Sequence, residues 1–98
     1  MFFFMRKKEK KSLVEAQGHR CFWIHNGPVV CNLRELEHAI RNDIDAKTFA
    51  YHVTADQNDF ANWIKDVLGD SECADALRHV KTRRSAGTTL KKALKEYN

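Results

Sequence analysis

The sequence predicts an α+β domain, mostly α, with an N-terminal β-hairpin followed by a compact bundle of four or five short helices. Three observations predict it. Asn26-Gly27 separates two short apolar runs, a strong hairpin signal. From Leu33 onward apolar residues recur at helical spacing, each run preceded by a capping residue. Proline occurs once and glycine four times in 98 residues, too few for a many-turned sandwich.

The elements follow in order. Residues 1–18 read as a basic, flexible tail and 19–98 as a single globular domain, because Arg6-Lys7-Lys8-Glu9-Lys10-Lys11 is too charged for a core and Gly18 closes the segment. Cys21-Phe22-Trp23-Ile24 and Val29-Val30-Cys31 form the hairpin, with Pro28 at a strand start or an edge. A two-residue turn centred on Asn26-Gly27 sets Phe22 opposite Cys31 and Ile24 opposite Val29. Cys21 then faces away from Cys31, and a disulfide between them would need a bulge that shifts the register.

Asn32-Leu33-Arg34-Glu35 reads as a capping box opening a helix with Leu33, Leu36 and Ile40 on one stripe. Asp45 caps a shorter helix through Phe49 and Val53, although the alternation Phe49-x-Tyr51-x-Val53 also fits a strand. Residues 54–58 read as a polar loop. Phe60, Trp63, Ile64, Val67 and Leu68 lie at i, i+3, i+4, i+7 and i+8, a broad core-facing stripe. Gly69 suits the position after a helix end, and Asp70-Ser71 caps the next helix, with Cys73, Ala74, Leu77 and Val80 inward. Thr82 or Ser85 starts the last helix, whose stripe is Ala86, Leu90, Ala93, Leu94 and Tyr97.

Taken together, Phe22-Trp23-x-x-Asn26-Gly27-Pro28, Leu33-x-Glu35-Leu36, Phe49-x-Tyr51-His52-Val53, Asn58-Asp59-Phe60-Ala61-x-Trp63-Ile64 and Val67-Leu68-Gly69-Asp70 resemble a small family of uncharacterised prokaryotic proteins. The resemblance covers about residues 22–80. It implies a discrete domain and brings no activity, cofactor or site residues with it.

Composition narrows function without naming it. A hydrophobic fraction of 43% and a charged fraction of 31% are those of a folded domain rather than a disordered chain. The net charge of +4 conceals an acidic middle, with ten Asp/Glu against five Lys/Arg in residues 21–80, between two basic ends. Such ends suit an anionic partner or an acidic surface of the same molecule. The run Met1–Met5 is far short of the ~20 residues needed to span a bilayer. It also precedes the basic cluster, the reverse of signal-peptide order. With the basic run it offers weak contact to an anionic membrane surface, and an unpacked terminus is the simpler account. The expectation is a cytoplasmic protein with three reduced thiols, Cys31 and Cys73 serving as small buried hydrophobes.

No reactive constellation emerges. Cys21 and His25 have the spacing of a zinc pair, and nothing nearby completes a site, so no metal and no cofactor are expected. Cys21 with His19 or His25 lacks a group to orient the base, and no phosphate-binding loop, dinucleotide fingerprint or Gly-x-Ser-x-Gly occurs. The expectation is therefore not an enzyme. His52 is the most interesting polar group. It is expected to bond the segment 56–60 and pin the intervening loop, a structural role weighed against ligand binding.

Two binding readings remain. In the first, a non-enzymatic binding or adaptor module meets a protein partner, or a second copy, through the hairpin, where Trp23, His25 and Val30 are the candidate contacts. Apolar side chains occupy both hairpin faces and helices cover only one easily. In the alternative, nucleic acid or a ribonucleoprotein is held by the basic last helix through Arg83, Arg84, Lys91, Lys92 and Lys95, with help from the tail. Trp23, His25 and Tyr97 would supply stacking surfaces if exposed.

Overall fold

The computed structural model describes residues 9–98. The expected architecture is present: a two-stranded antiparallel hairpin, β1 (Phe22–Trp23) and β2 (Val29–Val30), precedes five helices. These are α1 (Leu33–His38), α2 (Ala46–His52), α3 (Asp59–Asp66), α4 (Ser71–Arg78) and α5 (Arg83–Leu94). The segment over residues 48–53 is thus helical, apart from Val53, which pairs in a single bridge with Asn58. A π-helical turn, Ala39–Asp43, extends α1.

Side-chain capping sets each helix start. Asn32, Asp45, Asn58, Asp70 and Thr82 accept from the amides of Glu35, Thr48, Ala61, Cys73 and Ser85 respectively. Each satisfies one of the orphan donors of a first turn. At α1 the box is offset by one residue. Glu35 Oε1 accepts from the Cys31 amide at 2.8 Å rather than from Asn32. Asn32 instead turns its amide nitrogen to Glu15 Oε1 at 2.8 Å. Gly69, at φ +74°, turns the chain sharply between α3 and α4.

The hairpin departs from the expected register. Ile24 N donates to Pro28 O and Gly27 N to Ile24 O, which makes a three-residue loop, His25-Asn26-Gly27. Asn26 takes the left-handed conformation at φ +54° that the turn needs. Phe22 therefore pairs with Val30 and Trp23 with Val29. The extra loop residue also sets Cys21 opposite Cys31, with Cα atoms 4.4 Å apart, and the two form a disulfide. The expectation of three free thiols is corrected to one, the buried Cys73. The physical reason is Pro28, which lacks an amide hydrogen but offers a carbonyl, so pairing closes one step earlier than a two-residue turn would allow.

The core is a single cluster. Leu33, Leu36, Ile40, Phe60, Ile64, Leu77 and Leu90 are almost wholly buried, and the α3 stripe lies at its centre as its periodicity requires. Trp63 is buried and donates its indole N–H to Arg20 O at 2.8 Å. α3 packs on α4, and α5 packs on α1, the π turn and α4.

Of the segment 1–18 read as a tail, residues 1–8 lie outside the described residues, including the apolar run and the start of the basic cluster. Residues 11–16 are bonded to the body. Lys11 N donates to Glu96 O at 2.7 Å, Asn98 N to Lys11 O at 2.9 Å, and Ala16 N to Cys31 O at 2.7 Å. Leu13 and Ala16 supply the apolar contacts that hold this stretch down. No helix of the described residues is long and apolar enough to cross a membrane.

Candidate interaction surface at the hairpin

His52 ends α2 with its ring buried, and two partners engage its nitrogens. Nε2 accepts the His25 amide at 3.0 Å, and Nδ1 lies 2.9 Å from Asp59 Oδ2 in the first turn of α3. Because the amide can only donate, the ring proton sits on Nδ1 and is donated to Asp59. The expected bond to segment 56–60 is therefore formed, and one imidazole ties the hairpin, α2 and α3 together. Phe22 and Phe60 pack against the ring with centroids 5.1 and 5.0 Å away.

This frame holds an exposed apolar surface. Trp23 is 71% exposed, and its cross-strand partner Val29 is 43% exposed. Beside them the His25 and Tyr51 rings stack with centroids 3.9 Å apart and planes 9° from parallel, and Tyr51 is 59% exposed. Asn26 Nδ2 lies 3.3 Å from His25 Nε2. A groove of about 330 Å³ runs between the stacked pair and the start of α2, bordered by Asp45, Lys47 and Thr48. A second groove of about 360 Å³ lies between Val29 and the hairpin side of α1 and its π turn, where Glu35, His38 and Asp43 line it.

The three hairpin candidates thus divide. Trp23 and His25 are open to solvent, whereas Val30, 2% exposed, points into the core with Phe22 and offers no surface to a partner. The alternation of a strand separates Trp23 and Val29 from Phe22 and Val30 once the register is known. Tyr51 is an exposed ring at this surface that the sequence did not single out, because its alternation with Phe49 and Val53 bears on its backbone rather than its side chain.

The basic residues of α5 divide as well. Arg83 turns inward, donating from Nη1 to the Ile40 and Arg41 carbonyls at 3.0 and 3.2 Å, and so satisfies acceptors at the end of the π turn. Lys92 lines a cleft of about 370 Å³ between α4 and α5 that also contains Glu72 and Glu96. Arg84, Lys91 and Lys95 are exposed. Tyr97 is buried with its hydroxyl on Asp70, so it offers no stacking surface. Among the described residues no three His, Cys, Asp or Glu side chains cluster as metal ligands. No family model matches the chain, and neither the curated proteins nor the solved structures compared with it yield a match.

Proposed function

We propose that this chain is a non-enzymatic binding module that docks a protein partner through the outer face of its hairpin. One observation carries the reading: Trp23, 71% exposed, stands on a ribbon closed at one end by the Cys21–Cys31 bond and held at its loop by His52. Exposing a large aromatic costs solubility unless a partner covers it, and rigid Trp and Tyr side chains are the favoured anchors of protein interfaces. Val29 widens the apolar patch, while the His25–Tyr51 stack adds polar atoms at its rim. The proposal includes a cytoplasmic location; there the disulfide persists only if its potential lies below that of the glutathione pool.

The test is selection of a displayed protein library on the intact chain, followed by affinity measurement on Trp23→Ala. Anchor truncation is expected to weaken selected binders by about 30-fold or more, the loss of ~2 kcal/mol typical of a central aromatic. Binders that hold Trp23→Ala as tightly as the parent chain, or a library that yields none, would sink the reading.

A further inference from the structure

We propose that α1 with its π turn, together with α5, forms a second docking face, one that fits the phosphate backbone of a nucleic-acid duplex. The two segments run antiparallel. Arg83 at the start of α5 reaches the Ile40 and Arg41 carbonyls, and Arg34 near the start of α1 donates to the Asn98 main-chain oxygen at 2.6 Å. Close approach is secured at Gly87, where a Cβ would come within 2.8 Å of Arg41 Cγ. Arg34 and Arg41, seven residues apart, lie on one side of their helical path, and Arg84, Lys91 and Lys95 lie on the neighbouring flank of α5. All five are exposed.

The charge on this face is nearly of one sign. α5 contains no acidic residue from Arg83 to Leu94. Glu37 is buried against Arg41 and paired with it, Glu35 and Asp43 line the groove on the hairpin side, and Glu96 lines the cleft between α4 and α5. Arg84 and Lys95 are eleven residues apart, about 16 Å along a helix. A duplex presents a phosphate on each strand every ~3.4 Å of its axis, so a face of that length spans several. The occupant is a duplex rather than a single strand because these helices carry no exposed aromatic on which a base could stack. Trp23 and Tyr51 belong to the hairpin and α2, and Tyr97 is buried.

The experiment is fluorescence anisotropy of the full chain with labelled mixed-sequence duplexes of about 20 base pairs, in DNA and RNA forms. With three to four phosphates neutralised, log affinity should fall against log salt with a slope of about −3 to −4, roughly 100-fold between about 50 and 200 mM. Arg84→Gln, Lys91→Gln and Lys95→Gln together should cut the slope to about −1 or less and weaken low-salt binding at least about 10-fold. The charge-matched triple Lys47→Gln, Lys65→Gln and Arg78→Gln should stay within about twofold of the parent, because those residues lie on other elements. Trp23→Ala should leave duplex binding unchanged, which separates this face from the hairpin. Equal loss in the two triples would reduce the effect to net charge and overturn the proposal. So would absence of duplex binding at low salt, or dependence on the three cations seen with phosphatidylserine vesicles and not with either duplex.

Discussion

A ring nitrogen that accepts from a main-chain amide fixes the tautomer of its histidine, and His52 shows what that fixation holds in place. Its Nε2 secures the His25 amide inside the hairpin loop, and its Nδ1 proton secures Asp59 at the start of α3. His52→Ala would strand both partners and open a void beside Phe22 and Phe60. The expected cost is about 2–4 kcal/mol, read from urea unfolding. Asp59→Asn, which keeps an acceptor oxygen, should cost only about 1 kcal/mol. Nitrogen-15 shifts should show the proton on Nδ1; a proton on Nε2 would contradict the assigned bond. The contact with Asp59 was legible in the sequence because it spans seven residues across one polar loop. The contact with His25 was not, since it joins residues 27 positions apart and depends on a hairpin register that sequence alone misplaced.

Register is where the hairpin departs most from its sequence. Asn-Gly signals a two-residue turn, and the pairing follows from that count alone. Inserting His25 into the loop moves every cross-strand partner by one residue, which brings Cys21 to Cys31 and lifts Trp23 and Val29 onto the same open face. The helices were far more legible, because each start is written locally as a cap and each buried face as a 3.6-residue period. The disulfide closes a short loop, and its removal in Cys21→Ser/Cys31→Ser should cost about 2–3 kcal/mol through the freer unfolded chain. The parent chain treated with a phosphine reductant should show the same drop in urea midpoint as the double variant. Equal midpoints with and without reductant would mean the pair is not bonded. Cys73 should behave oppositely. Burial, reinforced by the negative charge of Asp70, pushes its thiol up to about 12, so little thiolate forms at neutral pH. Iodoacetamide should leave Cys73 unmodified in the folded chain and alkylate it in denaturant, a difference that intact mass reports.

Across the folded chain, the first described residues and the last meet around one buried carboxylate. Asp70 caps α4, accepts the Tyr97 hydroxyl, and lies 3.4 Å from Lys11 Nζ. Burial alone would raise its pKa. The Tyr97 hydroxyl, the Cys73 amide and the Lys11 charge outweigh burial and hold the carboxyl below its ordinary 3.8. A depressed carboxylate stabilises the fold above its unfolded value, and that contribution is lost as pH falls through the folded one. Tyr97 and Cys73 act with the opposite sense. Both are raised, Tyr97 by burial and then by its bond to Asp70, so the folded chain keeps protons that the unfolded chain releases above about 10 and 9 respectively. Their contribution is present below those values and is lost as pH rises past them. Among these three groups the stability curve should therefore be flat from about pH 4 to pH 9, falling first through Cys73 and then Tyr97 on the alkaline side. Tyr97→Phe separates the contributions. It should cost about 1–2 kcal/mol at neutral pH by removing the bond to Asp70. Without that donor the Asp70 carboxyl moves up towards its unfolded value, so the stability lost on the acid side should be smaller than in the parent chain. The alkaline fall should then start as before, at the Cys73 thiol, and be shallower above pH 10. An acid limb unchanged in Tyr97→Phe would show that the hydroxyl does not hold the carboxylate.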